Sequence, residues 1–336
     1  MPKPTDPFIA PPHTTPAIWP DRPASRLASL ITTDPAEAGS CEVALLGLPD
    51  DVGVRLNNGR PGAADGPRAF RAALTGYGIA QPAGFNWPRV FDAGDVTPAP
   101  GVHAEGLAET HARITEAALA LHRAGLFPIA IGGGHDLTFP FVRAAIQHHR
   151  AKATETFAGV YFDAHLDVRP TPGSGMPFRS LIEDCNAGPL MIIGHNPLAN
   201  SREHAAYFSS ACGGRNIIAD DDLIGRIDDL GGPDDLLAPL HNEDPASIDH
   251  LFCSFDLDAL DASHAPGVSA MNPAGMTTRE AARLMFIAAS HPRLRCLDIM
   301  ELSPPNDDKG RTARAAAHLF LHALMGLKLG REIEQR

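Results

Sequence analysis

No Cys-x-x-C pair occurs in this chain of 336 residues, and its five cysteines (Cys41, Cys185, Cys212, Cys253 and Cys296) are odd in number and widely spaced. Such spacing suggests neither a disulfide framework nor a structural zinc knuckle, and it suits a reducing compartment. Basic residues are scarce: 28 Lys and Arg face 40 Asp and Glu, for a formal charge of −12. A nucleic-acid partner, which needs a basic face, is therefore not expected. No uninterrupted apolar run approaches membrane-spanning length, and the opening MPKPTDPFIAPP lacks the basic-then-apolar design of a secretory signal. The expectation is a soluble cytoplasmic protein with no membrane partner.

What the chain does carry is apolar content in alternating patterns. Hydrophobic residues make up 44% of it, enough for one large α/β core. Residues 1–25 are rich in proline and poor in apolar pattern, so they read as an N-terminal arm. Residues 26–336 show no repeat and no linker, and read as a single domain. Short continuous apolar runs at 43–47, 127–131, 158–162, 190–193, 216–219, 251–255 and 296–300 resemble central strands covered on both faces. Helical patterns fall at 105–124, 136–149, 202–211, 278–290 and 312–329. In the first of these, Leu107, Ile114, Ala118 and Leu121 form one stripe and Gly125 supplies a stop. Thr278 gives a partial capping signal for the helix it opens. Alternating elements predict an α/β fold, a mostly parallel sheet with helices on both faces. In such sheets ligands gather beyond the carboxyl ends of the strands.

Three motifs occupy such ends. FDAHLDVRP places Asp163, His165 and Asp167 at alternate positions behind Val160, Tyr161 and Phe162. In an extended chain every second side chain points the same way, so all three share a face. SFDLDALD repeats the arrangement with Asp256 and Asp258, and IAIGGGHD ends a third apolar run in three glycines and His135. Buried carboxylates need compensation, and a cation supplies it. Four carboxylates and two imidazoles without a thiolate suit manganese or a similar divalent ion better than structural zinc. Six ligands are too many for one catalytic ion with open positions, but they suit two ions sharing bridging carboxylates. An EF-hand calcium loop fails on DLDALD, because Leu260 stands where an oxygen ligand is required.

GGGHD, DAHLD and SFDLDALD, in this order, resemble the three metal-binding motifs of the ureohydrolase superfamily, which includes arginase, agmatinase and formimidoylglutamase. The resemblance runs from about Cys41 to the C-terminus. It implies a three-layer α/β/α arginase-type fold and two Mn2+ per subunit. His135, Asp163, Asp167 and Asp256 would hold one ion, and Asp163, His165, Asp256 and Asp258 the other, with Asp163 and Asp256 bridging. Glu301, in DIMELSPP, matches the family acid that faces the guanidinium or amidine of the substrate. Arginases and agmatinases generally carry Ser-Gly-x-x-His after DAHLD; here SGMPFR puts Phe178 at the histidine position. That stretch, GVRLNNGRPGAADGP and the Ala199–Ser201 triplet are similar to formimidoylglutamases, although Met176 replaces the usual threonine.

N-formimidoyl-L-glutamate, with two carboxylates and one amidine, is the small-molecule substrate this resemblance implies, cleaved to L-glutamate and formamide in histidine degradation. Guanidinium forks recognise carboxylates, so Arg60 and Arg179 are the expected substrate-binding residues, with Arg169 the weaker candidate. Asp167 and Glu301 are the expected catalytic residues, and Phe178 an apolar wall capping the site. Three alternatives stand beside this reading: a guanidino-acid or agmatine-type hydrolase releasing urea, a one-zinc deacetylase of similar fold, and a non-catalytic member. The sequence leaves oligomeric state open, a homo-oligomer included. Most other histidines, among them His111, His122, His148, His149, His318 and His322, read as surface or core fillers.

Overall fold

Ten short runs form strands in the computed structural model, which describes residues 10–334 apart from 79–84, 221, 242–243 and 245–246. They are β1 (Thr14–Thr15), β2 (Ile31–Thr32), β3 (Val43–Leu48), β4 (Val90–Val96), β5 (Phe127–Gly132), β6 (Phe157–Phe162), β7 (Leu190–Ile193), β8 (Ile217–Ile218), β9 (His250–Asp256) and β10 (Leu294–Met300). The principal helices are α1 (Val52–Leu56), α2 (Gly66–Leu74), α3 (Ala104–Arg123), α4 (Thr138–His149), α5 (Pro177–Cys185), α6 (Arg202–Gly214), α7 (Asp222–Gly225), α8 (Pro233–His241), α9 (Thr278–Ala289) and α10 (Arg311–Glu334).

The strands make one sheet in the order β1-β4-β3-β5-β10-β9-β6-β7-β8, with β2 also on β4, and every pairing except β1–β4 is parallel. Alternate residues of each strand serve opposite cores, as the pleat requires. Val43 and Leu45 of β3 join one apolar cluster with α9 and α10, whereas Ala44, Leu46 and Leu48 join another with α3, α4 and α5. The result is the three-layer α/β/α arrangement expected from the motifs.

Several elements escaped the apolar pattern. Strand β4 reads VFDAGDV, and its aspartates disguise it. Asp92 is nonetheless 3% exposed, because Arg71 of α2 donates to both of its oxygens at 2.7 and 2.9 Å and to Asp95 at 2.6 Å. Burial alone would lower the Arg71 pKa, but Asp92 and then Asp95 outweigh it and hold the guanidinium charged. The proline-rich segment closes the same edge: β1 lies antiparallel on β4, and Trp19 Nε1 donates to Asp92 at 2.7 Å. Arg71→Met should cost about 3–5 kcal/mol in denaturant unfolding, since it strands buried carboxylates without a counter-charge. Helix α9 starts at Thr278 as expected, but the residue that caps it is the one before. Thr277 is its cap, exchanging hydrogen bonds with Glu280 in a capping box.

Strands β5, β10, β9 and β6 are neighbours in that order, although in the chain they are well apart. Their carboxyl ends therefore lie side by side. Those ends carry the three motifs and Glu301.

Candidate active site

His135 leaves β5 through Gly132, Gly133 and Gly134. A Cβ on Gly133 would lie 1.9 Å from the Asp50 carbonyl oxygen, and one on Gly132 would lie 2.0 Å from Met300 Sδ. Only glycine permits that approach. Strand β6 delivers Asp163, His165 and Asp167; strand β9 delivers Asp256 and Asp258. His135, Asp163, Asp167 and Asp256 have ligand atoms that can meet a single ion, and Asp163, His165 and Asp258 form a second such set. Asp163 belongs to both. The resemblance assigns Asp256 to both sets as well, but the structure groups it only with the first; its Oδ1 accepts the Asp258 amide at 2.7 Å.

The donor geometry fits cations. His135 Nδ1 stands 3.0–3.2 Å from one oxygen each of Asp163, Asp167 and Asp256, yet it has hydrogen-bond geometry with none of them. One nitrogen nearly equidistant from three carboxylates is a coordination arrangement. His165 Nδ1 sits 3.3 Å from Asp163 and 3.0 Å from Asp258 in the same way. Asp163 Oδ2 and Glu301 Oε2 are also buried without a hydrogen-bond partner. The other His135 nitrogen, Nε2, lies 3.0 Å from Ser254 Oγ, which donates to Asp298 at 2.6 Å. That chain orients the ring so that Nδ1 faces the carboxylates.

The electrostatics describe an unbalanced cluster of acids. Burial, then Asp167 and Asp258, raises the Asp163 pKa to about 6. Burial, then Asp258 and Asp163, pushes Asp256 well above the usual carboxylate range. For Asp258 burial acts upward too, but His165 outweighs it and draws the group down. Both His135 and His165 are raised against their burial by the surrounding carboxylates, so protons occupy the places cations would take.

Glu301 follows β10 and is 2% exposed. Burial raises its pKa to about 8, and its Oε1 accepts the His135 amide at 2.9 Å. Both Glu301 (φ 67°) and Asp167 (φ 48°) hold left-handed backbone conformations, which non-glycine residues rarely adopt and which cluster at functional positions. The two residues expected to act on substrate share this strain.

Other expectations need correction. Arg60 does not line the cleft; its guanidinium donates to the carbonyls of Pro266, Val268 and Ser269 at 3.1, 2.5 and 3.4 Å, tying down that loop. Arg179 on α5 also points elsewhere, paired with Glu183 at 2.9 Å and stacked 4.1 Å over the Tyr207 ring. Nor does Phe178 cap the mouth. It is fully buried, edge-on to the His135 ring at 5.3 Å and stacked on Tyr161 at 3.6 Å, so it supports the ligand from behind. His111 is more than a filler: its Nε2 lies 2.8 Å from buried Asp136, beside His135. Arg169 does line the cleft, and so does His204 of α6, which the sequence reading overlooked. Its signal was Ser201 capping a helix just after the carboxyl end of β7.

A three-layer α/β/α fold with a six-ligand cradle for two divalent cations at its strand ends defines a class of metal-dependent hydrolase architecture. The chain belongs to the arginase family, whose family model matches residues 41–326. It is 34% identical over 307 residues to the formimidoylglutamase of Aromatoleum aromaticum, spanning 88% of this chain and 84% of that one. Among solved structures it resembles Trypanosoma cruzi formiminoglutamase with two Mn2+, with TM-score 0.75, 28% identity and coverage of 91% and 99%. It also resembles proclavaminate amidino hydrolase from Streptomyces clavuligerus, with TM-score 0.69, 25% identity and coverage of 87% and 92%.

Proposed function

We propose that this protein hydrolyses N-formimidoyl-L-glutamate to L-glutamate and formamide. The observation that carries the reading is the pair of ligand sets sharing Asp163, with buried Glu301 beside them in one cleft. The choice of substrate is supported by the formimidoylglutamase relative and by SGMPFR, where Phe178 replaces the histidine usual in guanidino hydrolases.

Six side chains would hold two Mn2+: His135, Asp163, Asp167, His165, Asp256 and Asp258. When bound, such a pair supplies positive charge and acidifies a water molecule toward neutral pKa. Glu301, ionised once cations offset its burial, holds the amidinium and fixes the formimidoyl carbon toward that water. The water oxygen bonds to this carbon, and the bond to the glutamate nitrogen breaks. Asp167 would accept one proton from the attacking water and pass it to the glutamate nitrogen, which leaves as the neutral amine, and the remaining hydroxyl proton is lost to solvent as the formamide carbonyl forms. Both carboxylates line the cleft, and both residues hold a left-handed backbone.

Residues from 26 onward act as one catalytic unit in this reading, and the cytoplasm is its setting. All five cysteines are unpaired, and no described helix is long and apolar enough to cross a membrane. The test is a product assay on manganese-loaded protein against N-formimidoylglutamate, arginine, agmatine and guanidinobutyrate. Formamide and glutamate are expected from the first alone. Urea from a guanidino substrate, with no formamide from the first, overturns the proposal.

A further inference from the structure

The mouth of the cleft contains few groups able to receive a carboxylate, and hydrogen bonding already occupies most of them. Asn200 accepts the Leu166 amide at 2.8 Å and donates to the Ala164 and Asn196 carbonyls at 2.9 Å each, so its amide is a strut. Asn57 donates to Ser174 Oγ at 3.1 Å, and Ser269 faces Glu301. Two donors remain. Neither the Arg169 guanidinium nor the His204 ring has a side-chain hydrogen bond among the described residues, and both line the cleft.

Local structure aims them there. The Arg169 amide donates to the Gly175 carbonyl at 2.8 Å, which folds the 169–175 loop onto itself. A Cβ on Gly175 would lie 2.9 Å from both Cδ and Nε of Arg169, and 2.9 Å from Asn57 Nδ2. The missing side chain is thus the bed on which the Arg169 stem rests. His204 is fixed at the start of α6 by its amide donating to Ser201 Oγ at 3.1 Å. Burial, then the neighbouring Arg169 charge, lowers the His204 pKa, which favours the neutral ring beside the guanidinium. Among the described residues, Arg169 is the only Arg or Lys lining this cleft; the other charged or ionisable side chains there, apart from His204, are His165 and the carboxylates of the cation cradle and Glu301.

We propose that Arg169 and His204 form the clamp that binds one carboxylate of the substrate, with Gly175 positioning Arg169. This rests on the hydrolysis proposed above. It assigns the carboxylate recognition expected of Arg60 and Arg179 to a different pair. The guanidinium makes the charged hydrogen bonds and the imidazole adds one neutral donor.

The experiment uses manganese-loaded wild type, Arg169→Met, Gly175→Ala and His204→Ala. Each is assayed with N-formimidoyl-L-glutamate and with two analogues that lack one or the other carboxylate. Arg169→Met should raise KM for the dicarboxylate about 10- to 100-fold, with kcat falling far less. The penalty should vanish for the analogue lacking the clamped carboxylate. Gly175→Ala, which pushes the Arg169 stem aside, should reproduce part of the KM rise with unchanged manganese content and melting temperature; His204→Ala should give a smaller rise. Calorimetry with glutarate provides a reading independent of turnover, and its binding should weaken in the same order. Wild type that turns over the dicarboxylate while Arg169→Met keeps its KM and glutarate affinity overturns the clamp. Wild type that hydrolyses no formimidoyl compound sinks the proposed reaction instead. In that case glutarate decides: loss of its binding in Arg169→Met retains the clamp, and equal or absent binding removes it.

Discussion

Asp163→Ala should empty both cation positions at once. Asp163 is fully buried and belongs to both ligand sets, with Oδ2 3.1 Å from His135 and Oδ1 3.3 Å from His165. Among the described residues no other ligand is shared in this way. Metal analysis of manganese-dialysed protein should fall from two ions per chain to fewer than one, and turnover by more than about 1000-fold, because charge at the reacting centre is lost along with the acidified water. A variant that keeps two ions would show that Asp163 is not the bridge. The same cluster sets a pH dependence. Burial holds Asp163 at about 6 and Glu301 at about 8, both above their unfolded values, so their contribution to the metal-free fold is full at low pH and fades as pH rises through those values. Chelator-treated protein should therefore melt at a lower temperature at pH 8.5 than at pH 6. Manganese displaces the protons, so its affinity should rise over the same interval. Thermal melts and manganese titrations at the two pH values measure both trends.

Glu301→Gln should lower kcat/KM about 100- to 1000-fold while manganese content stays at the wild-type level. Glutamine has the shape of glutamate, so its carbonyl can still accept the His135 amide that Oε1 accepts at 2.9 Å. What disappears is the negative charge, and with it the preference for a cationic amidine. The remaining oxygen, Oε2, is buried without a partner, as a substrate-facing acceptor should be. Loss of manganese from this variant would make Glu301 a support for the cradle. Unchanged kinetics would remove it from substrate binding altogether.

Much of the site was legible in linear order because metal chemistry demands particular atoms at particular offsets. Asp163, His165 and Asp167 stand two residues apart, as do Asp256 and Asp258, and each set follows an apolar strand. Period two at a strand end is local geometry, so it could be read without the fold. The central strands were equally plain, since a strand covered on both faces must be continuously apolar. Strand β4 was not: the partner that makes Asp92 tolerable, Arg71, is 21 residues away on a helix. A neutralised charge and an exposed one look the same in a sequence.

The arginines divide along the same line. Arg60, Arg169 and Arg179 each had a carboxylate-binding chemistry, and nothing in the chain order said which guanidinium would be occupied. Folding gave Arg60 three carbonyls, gave Arg179 the Glu183–Tyr207 pair, and left Arg169 in the cleft beside His204. By itself the sequence determined the ligand types, their number and their strand-end positions, because these depend on side-chain chemistry and backbone period alone. Tertiary structure decided that β5, β10, β9 and β6 lie side by side, that Asp163 is shared, and which cations remain available to a substrate. Those outcomes depend on which distant groups meet and satisfy one another, and only the packed chain brings them into contact.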